Sequence, residues 1–495
     1  MLLKEIASLF LVKSTSGNLD IEITGLQMDS RKVEKGNLFI CVPGLKGFLE
    51  DRHLYAQEAI ENGAAALVVE RDVDIIVPKI FVKDARHAMA IIAAHFYNHP
   101  SHEMKLIGIT GTNGKTTTSY MIESIFSDYG LTMGLMGNNG IKMNGNMYST
   151  DINTQESPIL QRNLRQMSDY KTEYCVMEVT SQGIDMKRVM GCNFRTAIFT
   201  NLTQDHLDYH GTFENYRHTK GLLFSSLGNS FNYQDKKYAV LNADDPCFKY
   251  FSKVTSAEVI TYGISNKSDV SAENITMSSQ GIRFLLTSFM GNIEIDMQLV
   301  GRFNIYNALA AVTAALLEGI PLENISNSLA QITSINGRVE IVNEGQNFLV
   351  LVDYAHTPDA LENVLKTIKE FTIGRIITVF GCGGDRDATK RPIMGRIASE
   401  YSDIVYITSD NPRSEDPNII MNDIEEGLKR GSTLQYKLLI DREEAIYKAI
   451  KTAKKNDVVI IAGKGHETYQ IFQDKTIEFN DKEIARKFIQ KIQII

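Results

Sequence analysis

The run Gly108-Ile-Thr-Gly-Thr-Asn-Gly-Lys-Thr-Thr-Thr118 constrains this chain more than any other feature. It follows the apolar segment 106–110 and opens a helix, so it reads as strand, glycine-rich turn and helix start. The glycines let backbone N–H groups approach phosphate oxygens, and the helix N-terminus adds positive potential. Lys115 can reach the terminal phosphates of a nucleotide, and Thr116 is placed to bind Mg2+ through its hydroxyl. The general G-x-x-x-x-G-K-[ST] spacing is not met, because Gly108 lies one residue too far upstream and Ile109 stands in the expected place. A nucleoside triphosphate is the expected ligand of residues 111–117, with motor ATPases and GTPases both compatible at this point.

A chain of 495 residues exceeds what one core usually organises, about 250–300 residues, so several domains are expected. Residues 1–102 read as a small α/β unit with strands at 38–42, 64–69 and 80–82 and helices at 54–62 and 85–98; an Asn-His-Pro-Ser stop follows. Residues 103–333 hold the phosphate loop, buried strands at 106–110, 174–177 and 196–200, and a helical stripe at 304–318 closed by Gly319. Residues 334–495 alternate apolar strands (348–352, 376–380, 404–408, 458–462) with helices (361–371, 392–399, 419–429, 443–454). That alternation predicts an α/β class with a mostly parallel sheet.

The net charge of −8 argues against a nucleic-acid or membrane-surface partner. The five scattered cysteines, with no C-x-x-C pair, fit reduced thiols in a cytoplasmic protein. The N-terminal segment 1–14 predicts a short amphipathic helix and not a signal peptide, and no run approaches the ~20 apolar residues of a membrane span.

The segment Tyr174-Cys-Val-Met-Glu178 is an apolar strand ending in a carboxylate, as in nucleotide hydrolases that position Mg2+. His206 and His210 lie close in sequence but lack a third partner at zinc-ligand spacing. Polar clusters follow the four strands of the last block: Asp353-Tyr-Ala-His-Thr-Pro358, Gly381-Cys-Gly-Gly-Asp-Arg-Asp387, Ser409-Asp-Asn-Pro-Arg413 and Gly463-Lys-Gly-His-Glu467. Carboxyl ends of parallel strands share one edge, where ligands bind. Arg386 and Arg413 suit carboxylates, while Asp410 and Glu467 could hold an ammonium group, so a free amino acid or another zwitterion fits.

Taken with Asn201-Leu-Thr-Gln-Asp-His-Leu-Asp-Tyr-His-Gly211, these motifs resemble the Mur ligase family along essentially the whole chain, in the family order. The resemblance implies a three-domain architecture, with a central P-loop ATPase-like domain and a C-terminal Rossmann-like domain. It implies ATP-dependent amide formation through an acyl phosphate. Asp410-Asn-Pro-Arg413 resembles the signature of members that add meso-2,6-diaminopimelate to UDP-N-acetylmuramoyl-L-Ala-D-Glu in peptidoglycan precursor synthesis.

By the same resemblance ATP meets Gly111, Thr112, Asn113, Gly114, Lys115, Thr116, Thr117, Asn304, Arg338 and Asp353. The muramoyl substrate meets Ser30, Asn153, Thr154, Thr180, Met186 and Arg188. The amino acid meets Arg386, Asp410, Asn411, Pro412, Arg413, Gly463 and Glu467. Mg2+ is implied at Thr116, Glu178, His210 and a carbamylated Lys220, with Lys115, Glu178, His210 and Lys220 catalytic.

The chain departs from the family at Asn153-Thr-Gln-Glu-Ser157, where Thr-Thr-Pro-Glu-Ser is common, at Thr180 in place of Ser, and at Met186 in place of a polar residue. A monomer is expected. Two other readings compete: a folylpolyglutamate-type ligase acting on a different acidic acceptor, and a non-catalytic nucleotide-binding scaffold. Intact Lys115, Glu178, Lys220 and His210 argue against the scaffold.

Overall fold

A computed structural model describes residues 1–45, 47–150, 152–229, 235–278, 281–428 and 435–493. The chain separates into two compact units, one of residues 1–108, 131–197 and 222–238, the other of 109–130, 198–221 and 239–495.

In the first unit, five short strands form a sheet in the order Ser14–Ser16, Lys79–Phe81, Ala66–Val69, Asn37–Ile40 and Gly25–Gln27. The first pair is antiparallel and the rest are parallel. Leu38, Ile40, Val68 and Ile80 alternate onto the face covered by helix Ala85–Phe96, where Met89 and Ile92 meet them. Each such side chain, fully buried, contributes roughly 1.5–3 kcal/mol. Asp84 caps this helix by accepting from His87 N at 2.8 Å. The helix ends before the expected 98, because Asn98 and His99 turn to positive φ ahead of Pro100.

The N-terminal helix is confined to Leu3–Ser8, shorter than expected, and residues 14–16 are instead an edge strand. Residues 54–62 divide into a 3-10 turn, Arg52–Tyr55, and a helix, Ala56–Glu61. The remainder of this unit pairs strands Met133–Gly137 and Tyr174–Glu178 in parallel. Strands Gly140–Met143 and Asn146–Tyr148 continue antiparallel from Met133–Gly137.

The second unit contains the helix after the phosphate loop, Lys115–Asp128, and an antiparallel meander of Val270–Ser278, Gly281–Ser288 and Gly291–Met297. Helix Arg302–Leu317 follows, nearly all buried, and Gly319 at φ +80° ends that turn. Beyond residue 339 lies a six-stranded sheet: Glu340–Ile341, Leu349–Asp353, Val458–Ala462, Ile376–Phe380, Ile404–Thr408 and Gln435–Leu439. Its first pair is antiparallel and the other pairings are parallel.

The four inner strands of this sheet are buried on both faces, so they are largely apolar runs. Leu351, Phe380, Ile407 and Ile460 pack on one side, and Val352, Val379, Tyr406 and Ile461 on the other. Helices Pro358–Phe371, Lys390–Tyr401, Pro417–Leu428 and Arg442–Thr452 lie near the expected positions. Residue 429, the expected end of the third, is outside the described residues.

A fully buried ion pair anchors the carboxyl edge of this sheet. Arg442 donates to Asp481 Oδ1 at 2.8 Å and Oδ2 at 2.7 Å, and neither side chain is exposed. The same guanidinium donates to Ala462 O at 3.0 Å and to Ser409 O at 3.4 Å, the last carbonyls before Gly463 and Asp410. Arg442→Met would strand the Asp481 carboxylate and lower stability by about 3–5 kcal/mol, whereas Arg442→Met/Asp481→Leu would recover most of that loss. Urea unfolding followed by circular dichroism checks this; a single-variant loss under about 1 kcal/mol would contradict it.

Candidate active site

The phosphate loop is shaped by what presses on its glycines. Gly111 has φ +149° and Gly114 φ +85°. A Cβ on the first would overlap Thr200 Oγ1, and one on the second Asn307 Oδ1. The segment after strand Phe194–Phe199 holds the loop's backbone. Asn201 O accepts from Thr112 N at 2.8 Å, Asn201 Oδ1 accepts from Asn113 N at 2.9 Å, and Thr200 Oγ1 donates to Asn113 O at 2.6 Å. Helix Lys115–Asp128 begins at Gly114 without a side-chain cap, leaving its first-turn N–H groups suited to an anion. Thr116 and Thr117 are buried in that first turn.

Behind the loop Asn304 does not stand free. Its Nδ2 donates to Val300 O at 2.8 Å and its Oδ1 accepts from Asn307 Nδ2 at 3.0 Å, so its position sets that of Asn307 against Gly114.

Two lysines converge on one carbonyl. Lys115 Nζ donates to Gly111 O at 2.9 Å and Thr112 O at 2.8 Å, and Lys220 Nζ donates to the same Gly111 O at 3.0 Å. Lys220 comes from helix Phe213–Ser225, is 1% exposed, and lies 4.8 Å from the Tyr216 ring centroid. Burial, and then the neighbouring Lys115 charge, hold its amine well below the usual lysine range, with Asp205 opposing. His210, buried at the end of the turn Leu207–His210, stacks near the same Tyr216 at 5.2 Å between centroids.

Residues from beyond 337 also reach the loop. Arg338 Nη2 donates to Thr116 Oγ1 at 3.1 Å, and Asn113 Nδ2 donates to Asp359 Oδ2 at 2.6 Å. Asp353 is buried and accepts from Val339 N at 2.7 Å; burial raises its carboxyl, with Arg338 opposing. Val339 has φ +44°, a strained setting for a β-branched residue and a mark of a site held by its surroundings. Burial and Lys390 push the His356 ring down to about 4, and burial and Arg338 do the same to His466, so both are neutral near pH 7.

At the carboxyl edge of the six-stranded sheet the expected amino-acid residues come together. Arg386 is held below its usual range, first by burial and then by the Arg413 charge, so two guanidinium groups share this corner. Arg413 has φ +53°, donates its N–H to Ile471 O at 3.0 Å and its Nη1 to Gly384 O at 2.7 Å. Glycine is required at 384, where a Cβ would overlap Pro412 O, and at Gly463, where it would come within 2.6 Å of Asp410 Oδ2. Asn411 Nδ2 donates to Glu467 Oε2 at 2.8 Å. One corner is thus cationic and the other carries carboxylates, an arrangement that complements an amino acid with an extra carboxylate.

The first unit holds the residues expected to meet the acceptor. Thr154 Oγ1 contacts Glu178 O and Thr180 Oγ1, both at 3.0 Å, and Thr180 Oγ1 caps helix Ser181–Asp185 by accepting from Gly183 N. Thr180 therefore keeps the capping hydroxyl that the usual serine would supply. Arg188 donates to Glu156 Oε1 at 2.9 Å and Thr154 O at 3.0 Å, with the Met186 sulfur 3.2 Å from its Nη2. Glu178 Oε1 accepts from Asn138 N at 2.9 Å. Asn153, Thr154 and Gln155 line a small cavity with Met136, Ile141 and Met177. Ser30 is buried, and its hydroxyl donates to Glu58.

Residues that sequence reading passed over include Asp359, Lys464, Gln470 and Arg86. Asp359 carried one usable signal, its place right after the quoted Asp353–Pro358 motif. Arg86 donates to Glu156 Oε2 at 3.0 Å beside Arg188, and nothing in its local sequence announces that. Among the described residues no three or more His, Cys, Asp or Glu side chains form a group able to hold a metal ion. No described helix is long and apolar enough to cross a membrane.

Comparison with known proteins agrees with this geometry. The Mur ligase middle domain matches residues 109–315, the Mur ligase glutamate ligase domain 337–465, and the Mur ligase family catalytic domain 22–97. A UDP-N-acetylmuramoyl-L-alanyl-D-glutamate–2,6-diaminopimelate ligase of Geobacillus thermodenitrificans is 50% identical over 475 residues, 96% of each chain. A solved structure of a ligase of that name is 31% identical, with a TM-score of 0.69, covering 100% of this chain and 99% of its own. A Thermotoga maritima MurF ligase in complex with ADP shares the fold at 18% identity and a TM-score of 0.64, over 94% of this chain and 97% of its own. From the phosphate loop to the edge of the last sheet, the chain belongs to the Mur ligase family.

Proposed function

We propose that this chain joins meso-2,6-diaminopimelate to the D-Glu residue of UDP-N-acetylmuramoyl-L-Ala-D-Glu with conversion of ATP to ADP and phosphate, a step of peptidoglycan precursor synthesis that serves cell-wall growth, shape and division. The observation that carries it is the Asp410-Asn-Pro-Arg413 turn, whose guanidinium stands beside Arg386 and whose Asn411 donates to Glu467, in a chain half identical to a ligase of that name. Diaminopimelate differs from lysine by one carboxylate, and a bidentate guanidinium is the side chain that recognises it.

The reaction is activation of a carboxylate followed by amide formation. The D-Glu γ-carboxylate attacks the γ-phosphorus of ATP; an acyl phosphate forms and ADP leaves. The deprotonated amine of diaminopimelate then adds to the acyl carbon, and phosphate departs from the tetrahedral intermediate. Residues 111–117 cradle the phosphates, and Lys115 stabilises charge developing on the transferring group. Asn304, Arg338 and Asp353 complete the ATP site in this reading, Arg338 through its contact with Thr116 and Asn304 through Asn307. Ser30, Asn153, Thr154, Thr180, Met186 and Arg188 take the muramoyl substrate. Arg386, Asp410, Asn411, Pro412, Arg413, Gly463 and Glu467 take the amino acid.

Family correspondence assigns Mg2+ to Thr116, Glu178, His210 and Lys220. The donor set suits a hard cation only if Lys220 supplies oxygens, since an amine is a poor Mg2+ ligand. Burial and Lys115 shift Lys220 toward the neutral amine, the nucleophilic form that adds CO2, so carbamylation of Lys220 fits its surroundings. When bound, Mg2+ would offset charge on the phosphate oxygens. We assign the domain limits to 1–102, 103–333 and 334–495, supported by one sheet confined to 14–81 and another to 340–462. A cytoplasmic monomer accords with this reading.

Purified protein is expected to release phosphate from ATP only when both UDP-N-acetylmuramoyl-L-Ala-D-Glu and meso-diaminopimelate are present. Equal turnover with L-lysine, or turnover without the acceptor, would refute the assignment. Equilibrated with 13C-bicarbonate, the protein should show a carbamate carbon resonance that Lys220→Ala lacks. A resonance surviving in Lys220→Ala, or absent from the wild type, would remove the carbamate from Lys220.

A further inference from the structure

Lys464 lies within the Gly463–Glu467 motif, yet it has no part in the chemistry above. Its side chain is completely buried. An ammonium withdrawn from water is tolerated only when partners satisfy it, and here its polar partners are two residues of the amino-acid site. Lys464 Nζ donates to Asn411 Oδ1 at 3.0 Å and to Glu467 Oε2 at 2.8 Å. It also lies 5.6 Å from the Tyr469 ring centroid.

These bonds fix more than the lysine. Asn411 Oδ1 accepts a second bond, from Ile471 N at 3.0 Å, so the amide can face only one way and its Nδ2 must point to Glu467 Oε2. Glu467 Oε2 thereby takes two donors, Lys464 and Asn411. Its other oxygen, Oε1, has no partner among the described residues. Glu467 is presented as a single acceptor oxygen whose charge is already offset by a buried cation.

We propose that Lys464 is a specificity-determining residue: by neutralising Glu467 inside the pocket, its buried ammonium disfavours an amino acid with a bare cationic side chain relative to one with a zwitterionic side chain. The inference rests on the ligase reading above. The distal end of diaminopimelate carries a carboxylate and an ammonium, whereas that of L-lysine carries an ammonium alone, so the two ligands differ by one charge there. Whatever the background field of Arg386, Arg413, Asp410 and Asp385, removing the Lys464 charge makes the site one unit more negative. Within about 10 Å of a partly buried site, one unit shifts the relative affinity of ligands that differ by one charge by about tenfold.

The test compares kcat/KM for meso-diaminopimelate and L-lysine in the wild type and in Lys464→Gln, which keeps a donor for Asn411 and removes the charge. The diaminopimelate-to-lysine ratio should fall about tenfold in Lys464→Gln, mainly through the two KM values, with KM for ATP unchanged. Lys464→Arg keeps the charge and should keep the ratio. Lys464→Met also removes the charge while leaving Glu467 in place; it should show the same fall and carries the test if Lys464→Gln does not fold. An unchanged ratio in folded Lys464→Gln or Lys464→Met, or an equal fall in Lys464→Arg, would overturn the proposal. A wild type that turned over neither amino acid would overturn the ligase reading and this one with it, whereas a selective wild type with an unmoved Lys464→Gln overturns this one alone.

Discussion

Gly111 O accepts from both Lys115 and Lys220, so two lysine side chains compete for charge at one carbonyl, one half-buried and the other fully buried. Like charges this close repel strongly where water is excluded. Burial and the Lys115 charge hold the amine of Lys220 well below the usual lysine range, whereas Lys115 opens the helix at the end of the loop and is only half-buried. The glycines at 111 and 114 are needed to admit Thr200 and Asn307 close behind the loop, and the Asn304–Asn307 pair fixes the backing from which it curves.

The sheet beyond residue 339 gathers the residues proposed for the amino acid, as the loop gathers those proposed for phosphate. Its parallel strands bring Asp353, Asp410 and Gly463 to one edge. The Arg442–Asp481 pair pins the carbonyls immediately before Asp410 and Gly463. Gln470 adds a second tie, donating to Asp410 O at 2.9 Å. Rigid support of this kind matters because bidentate recognition tolerates little displacement.

The sequence was most legible where burial is two-sided. Strands at 376–380, 404–408 and 458–462 are continuous apolar runs, and the structure reproduces their limits. Gln435–Leu439 escaped notice because an edge strand is half exposed and carries Gln435 and Lys437. The meander Val270–Met297 was likewise missed, its alternation diluted by exposed polar positions. Within the site, residue types at strand ends announced Arg386, Arg413 and Glu467. What joins them could not be read: Asn113 and Asp359 are 246 positions apart, and Arg338 and Thr116 are 222 apart. Such pairs exist only once the fold brings them together.

The central claim is that the phosphate loop serves activation of a carboxylate, not motion or signalling. Isotope transfer tests it most directly. With 18O in the D-Glu γ-carboxylate of the acceptor, one turnover through an acyl phosphate leaves one labelled oxygen in the released inorganic phosphate, readable by the isotope shift in its 31P resonance. Labelled phosphate, formed together with amide, is the predicted result. Amide formation with wholly unlabelled phosphate would contradict the account.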